Sequence, residues 1–301
     1  LEDKTPEVAR RKIHELESKH NLRRESVWAK LGEAPLAESL TYLNVIAKQT
    51  STPITGQHAL DVITSYTSTN WQVDAAVLQA LDKARQPDDS KVVKTAIRSI
   101  YKDWLEKTTE TFQAEIRKTG YPPKFETLLK PELTPGTCFL FIDGLRFDIG
   151  QLLSKHLADR GYEMTSEGAL SAFPTVTATS KIAVSPIAYK LSESSGRDDF
   201  VAMTAEQKPV DHNRFKKLLE EDGIQFLKTN DGGDPSGIAW TECGEFDHIG
   251  HNQQWNDHKR MNDIGPLVAV GNTHDYQFRR RSQCFSRCQK CRPLHSPLGT
   301  T

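Results

Sequence analysis

The chain has 301 residues, of which 26% are charged and 37% hydrophobic, and its formal net charge is -1. That length suits one large domain or two, and the near-zero charge supplies no global field to draw in nucleic acid or a membrane surface. No apolar run approaches the roughly 20 residues that cross a bilayer. The five cysteines are too few and too clustered for a disulfide framework, because only Cys138 and Cys243 lie in the body of the chain. A soluble protein of the cytoplasm with no membrane partner is therefore expected. The start, LEDKTPEVARRK, is charged throughout and opens on Leu1, which predicts no secretory signal and a fragment of a longer protein.

Residues 1–122 read as a helical region. Thr5 followed by Pro6 is an N-cap with proline at the first helical position. It opens a helix with Val8, Ile13 and Leu16 near one face. Further helices are expected over 37–47, 57–66, 73–84 and 91–118. The last carries Val92, Val93, Ile97, Ile100, Tyr101, Trp104 and Leu105 as an apolar stripe. This region holds no cluster of catalytic or ligating residues and reads as a scaffold or partner-docking segment. Proline and glycine between 120 and 136 mark a domain boundary.

From 136 the pattern alternates between strand and helix, which implies a mostly parallel α/β sheet. The run Phe139 to Ile142 is short, aromatic and β-branched, the signature of a strand buried on both faces. A helix over 147–160, with Ile149, Leu152, Leu153 and Leu157 on one face, stops at Gly161. A second strand is expected within 162–170, a turn and short helix over 172–188, and a polar loop over 190–210. A helix over 215–221 ends at Gly223, and strands follow at 224–227 and 238–241 around the loop NDGGDPSG.

Three stretches in this part carry candidate chemistry. Asp143 ends the first strand, where open α/β sheets place their sites, although Asp143-Gly144 also reads as a plain turn. In FPTVTATSK, Thr175 and Thr177 sit at a helix start, where free N–H groups favour an anion. The bland alternative there is an N-cap. In EFDHIGH, Asp247 and His251 follow a strand and form a carboxylate–imidazole pair suited to zinc and similar ions. A surface loop is the alternative.

FIDGLRFD, FPTVTATSK and EFDHIGH, in this order, resemble the PglZ domain, a branch of the alkaline phosphatase superfamily associated with bacteriophage-exclusion (BREX) systems. The resemblance covers about residues 137–251, and the helical segment is similar to the region that precedes this domain. It implies an alkaline-phosphatase-like α/β domain over 136–275, cut short, and a phosphoryl-transfer hydrolase, either phosphatase or phosphodiesterase. It implies two divalent metal ions, zinc first, with manganese or magnesium as alternatives. Asp143 and Thr177 would bind one ion, with Thr177 as nucleophile and Thr175 as the alternative. Asp247 and His251 would bind the other. Arg146 and Lys181 would contact a phosphate ester substrate, with an Arg146–Asp148 ion pair as the alternative for the first. Partners would be other phage-defence proteins and, on one reading, nucleic acid. The superfamily's second Asp-His pair is represented here only by His274 and Asp275 in reversed order. An inactive scaffold, or a partner- or DNA-binding component of the same assembly, is therefore the other function kept in view.

The last stretch, 276–301, is basic and cysteine-containing. It is expected to be disordered. Cys284, Cys288, Cys291 and His295 have spacings that suit a zinc ion, and the basic residues suit nucleic acid.

Overall fold

The computed structural model describes residues 4–120, 133–166, 175–193, 201–228, 231–244 and 247. The chain divides into two compact units. Among the described residues the first comprises 4–120 with 147–149, and the second 133–146 with 150–247.

The helical unit is built from α1 (Pro6–His20), α2 (Val27–Lys30), α3 (Pro35–Gln49), α4 (Ala59–Ser65), α5 (Trp71–Lys83) and α6 (Pro87–Thr119). Proline supplies the first turn of α1, α3 and α6, where its missing N–H costs nothing. The Thr5 hydroxyl caps α1 by accepting from the Val8 amide. Along α6 the apolar residues buried are Val93, Ala96, Ile97, Ile100 and Trp104, a 3–4 spacing that fits the helical period. Val92 and Leu105 lie about 100° to either side of that stripe and are exposed, which corrects the wider stripe expected from sequence.

A few polar groups tie distant helices across this core. The buried Arg10 donates to Thr50 Oγ1 at 3.1 Å and to the Ile100 carbonyl at 3.0 Å. Ser39 Oγ donates to the Ala80 carbonyl. Tyr66 and Tyr101 each donate to one oxygen of Asp74 at 2.6 Å. Tyr66 also opens a π-helical turn (Tyr66–Asn70) that carries α4 into α5. Among the described residues no helix is long and apolar enough to cross a membrane.

The second unit is α/β. Its described sheet has three parallel strands in the order β1 (Cys138–Ile142), β5 (Ile238–Cys243), β4 (Ile224–Leu227). Cys138 pairs with Ala239 and Ile142 with Cys243, while Ile224 pairs with Ile238. The helices are α7 (Phe147–Ala158), α8 (Thr177–Ala183) and α9 (His212–Glu221). The core of the sheet is Trp240 and Ile224 packed with Phe215 and Leu219 of α9, and with Ile182 and Ala183 of α8. Asp211 caps α9 by accepting from the Arg214 amide at 2.8 Å.

Two expectations are corrected here. β1 is half-buried along its whole length rather than buried on both faces. Among the described strands it lies at the edge, with β5 in the middle. The strand expected within 162–170 lies partly outside the described residues; of that stretch Tyr162 makes a single β-bridge and 163–166 carry no regular structure. The stretch expected as a loop over 190–210 contains an antiparallel pair, β2 (Leu191–Glu193) with β3 (Ala202–Thr204). All three β3 residues are buried, so the alternation that betrays a strand in sequence is missing.

Candidate functional site

Asp143 is both the turn and the candidate site. Gly144 takes φ +72, and the Leu145 amide donates back to the Ile142 carbonyl, so the chain reverses just past the strand. The Asp143 amide donates to the Cys243 carbonyl at 2.9 Å, which extends the β1–β5 ladder one step beyond the strand end. That bond fixes Asp143 at the carboxyl edge of the sheet. Its half-buried side chain faces the first residue of α8. Thr177 Oγ1 lies 3.0 Å from one carboxylate oxygen and 3.2 Å from the other, and the hydroxyl donates to the pair.

The sequence offered two threonines at this helix start, and the hydroxyl bonded to Asp143 is that of Thr177. Thr175 precedes the helix and is exposed. Because β5 runs parallel to β1, the chain leaves both strands at the same edge. Asp247 stands four residues beyond the end of β5 and is half-buried. Arg146 occupies the exposed N-cap position of α7. His251, the pair His274 and Asp275, and the cysteines of the tail lie outside the described residues.

Lys181, one turn along α8 from Thr177, reaches a residue that sequence reasoning missed. Its ammonium is 3.4 Å from Glu242 Oε2 and 5.3 Å from the centre of the Phe215 ring. The other oxygen of Glu242 accepts from Trp240 Nε1 at 2.9 Å. A signal was present: Trp240 and Glu242 are two apart on a strand and share a face, so a carboxylate beside a buried tryptophan demands a partner.

The end of α9 is held by a second cluster. Asp222 accepts from Tyr189, at 2.7 Å, and from Lys190. Burial pushes the Asp222 carboxyl up, but the bonds from Lys190 and Tyr189 outweigh it and leave it below the usual range. The bond to Asp222 raises Lys190. It also raises Tyr189.

The donor chemistry at Asp143 suits a divalent ion. Carboxylate and hydroxyl oxygens are hard ligands, and two such ligands at about 2.1 Å from one ion, at right angles, lie about 3 Å apart. The Asp143–Thr177 spacing meets that requirement. Among the described residues no group of three or more His, Cys, Asp or Glu is gathered to hold an ion, so a complete set needs a contribution from outside them. No family model, curated protein or solved structure matches this chain.

Proposed function

We propose that the second unit is an alkaline-phosphatase-like domain of the PglZ type, spanning about 136–275, and that it is a metal-dependent phosphoryl-transfer hydrolase of a cytoplasmic phage-defence system. The observation that supports the reading is the hydrogen bond from Thr177 to Asp143 at a sheet edge that Asp247 also follows. In this reading Asp143 and Thr177 hold one divalent ion, and Asp247 and His251 hold the other. Zinc is the first candidate, and manganese and magnesium follow. When bound, such ions supply positive charge that acidifies a hydroxyl and neutralises phosphate oxygens.

The residues divide the work as follows. Asp143 fixes the Thr177 rotamer and takes the hydrogen of its hydroxyl, leaving a lone pair of Oγ1 free to face phosphorus. Thr177 Oγ1 attacks the phosphate ester, the Oγ1–P bond forms as the ester P–O bond breaks, and the alcohol leaves with a proton. Water then attacks the phosphorylated threonine, releasing phosphate from a monoester substrate or a phosphate monoester from a diester, and restoring the hydroxyl. In this reading Arg146, exposed at the start of α7, would meet two phosphate oxygens bidentately.

The test uses the full chain with added zinc or manganese, an aryl phosphate and a bis-aryl phosphodiester. Hydrolysis, together with about two bound ions per chain, is expected in the unmodified protein. Both Thr177→Ala and Asp143→Ala should abolish turnover. A chain that takes up neither metal overturns the reading.

One observation favours a non-catalytic component that docks a partner of the same assembly. Leu22, Val27, Trp28 and Leu31 are 72%, 68%, 68% and 66% exposed within a ten-residue stretch of the helical unit. Large apolar side chains gathered in this way mark interaction surfaces. This second reading predicts a folded protein that hydrolyses neither ester.

A further inference from the structure

α8 has only seven residues, and its first turn receives no side-chain cap. Helices below about 12 residues are marginal in water on their own. This one must be held from outside, and two of its side chains reach the sheet. Thr177 and Lys181 are four apart and so lie on one face of the helix. Thr177 bonds Asp143, which continues β1, and Lys181 pairs with Glu242 on the neighbouring β5. Glu242 stands opposite Phe141, two residues before Asp143 along the ladder. Four helical residues rise about 6 Å, and two strand residues advance about 6.6 Å. The spacing of the two donors on α8 therefore matches the separation of the two carboxylates along the strand direction, and the longer Lys181 side chain spans the step of about 4.8 Å to the neighbouring strand.

From this the geometry points to Lys181 and Glu242 as a pair of positioning residues whose ion pair sets α8 so that Thr177 faces Asp143, and to Lys181 as no phosphate contact. The effect on turnover rests on the phosphoryl-transfer reading, whereas the placement of α8 does not. The Lys181 side chain is only 17% exposed and that of Glu242 26%. Both oxygens of Glu242 are engaged, one by Lys181 and one by the Trp240 indole. Lys181 also lies over the Phe215 ring, where a cation gains from the π face. For Lys181 to reach a substrate, it would have to leave a half-buried carboxylate without its counter-charge, which is costly.

The test compares Lys181→Met, Lys181→Arg, Glu242→Gln and the double variant Lys181→Met with Glu242→Gln, all in the full chain. Glu242→Gln keeps the shape and the acceptor for Trp240, so it is the change least able to unfold the sheet. Hydrogen exchange of amides 177–183 is read beside kcat and KM for 4-nitrophenyl phosphate and bis(4-nitrophenyl) phosphate with zinc or manganese. Either Lys181→Met or Glu242→Gln should speed exchange in α8 roughly tenfold, with β4 and α9 unchanged. The double variant should add nothing further, and Lys181→Arg should restore protection. kcat should fall with KM held. Three results overturn the assignment: unchanged exchange in α8, faster exchange spread evenly over the whole unit, or a raised KM with kcat held in Lys181→Met. If the unmodified chain hydrolyses neither ester, the phosphoryl-transfer reading fails and exchange alone decides the role of the pair.

Discussion

The two units hold themselves together by different means. In the helical unit large side chains lock the helices: Trp104, Ile100, Ile46, Ile13 and Val73 are almost wholly buried, and among them the buried Arg10 and Ser39 are hydrogen-bonded, whereas Trp104 Nε1 has no partner among the described residues. In the α/β unit the core is thinner, and the edge where the candidate chemistry sits is fastened by carboxylates. At that edge Asp143 receives Thr177 and Glu242 receives Lys181 and Trp240, while at the opposite end of the strands, just before β4, Asp222 receives Tyr189 and Lys190. Packing excludes water and leaves no room for a ligand. A carboxylate clip orders a short element while keeping its end open, which is what a site at a sheet edge requires.

Substitutions can break or sharpen that contrast. The largest effect is expected from Trp104→Ala, which should cost about 3–5 kcal/mol. Denaturant unfolding with exchange resolved along the chain would show the loss within residues 4–120 while α8 and α9 keep their protection. An equal loss in both units would end the contrast. Arg10→Met should cost about 1.5–3 kcal/mol, because both of its bonds are made by a charged donor. The same measurement applies, and a cost near zero would mean that packing alone carries the helical unit. Asp211→Ala removes the cap of α9 and should cost about 0.5–2 kcal/mol, confined to the α/β unit.

The smallest effect is that of pH on the Asp222 cluster. Asp222 is held low in the folded chain, so its contribution is present above the ordinary aspartate pKa of about 4 and is lost as pH falls through the folded value. Lys190 is held high, so its contribution is present below the ordinary lysine pKa of about 10.4 and is lost as pH rises beyond it. The contribution of this cluster should therefore be constant between those limits and decline outside them, and Asp222→Asn should weaken both shoulders, the acid one only in part because Glu7, Glu206 and Asp234 are also held low.

Much of this architecture was readable from periodicity. The buried run Val93, Ile97, Ile100 and Trp104 spells out α6, and the apolar run before Asp143 marks β1. The misses have physical causes. A two-residue repeat cannot be recognised in β3, which is buried at every position. The π-helical turn after α4 depends on local bonds such as Asn70 Nδ2 to the Ser65 carbonyl, and composition does not disclose them. At the site, the sequence supplied Asp143 and a choice of threonines, but the choice depends on which hydroxyl the start of α8 turns toward the sheet. The Lys181–Glu242 pair joins residues far apart in the chain, which meet because α8 packs through Ile182 and Ala183 in one core with Trp240 of β5.

The strand order has a consequence for how the protein is made. β5 lies between β1 and β4, yet it is the last of the three to leave the ribosome. Cys138 waits for Ala239, and Ile224 for Ile238, before either flanking strand gains its neighbour. The helices of residues 4–120 need no such late arrival and can pack while synthesis continues, because domains fold as units from the N-terminal side. Until β5 emerges, β1 is a short apolar strand without the neighbour it has among the described strands, the kind of segment that pairs with the wrong chain. The interval between residues 142 and 238 is thus the vulnerable period of biosynthesis, and a pause in translation there would act on the yield of the second unit while sparing the first.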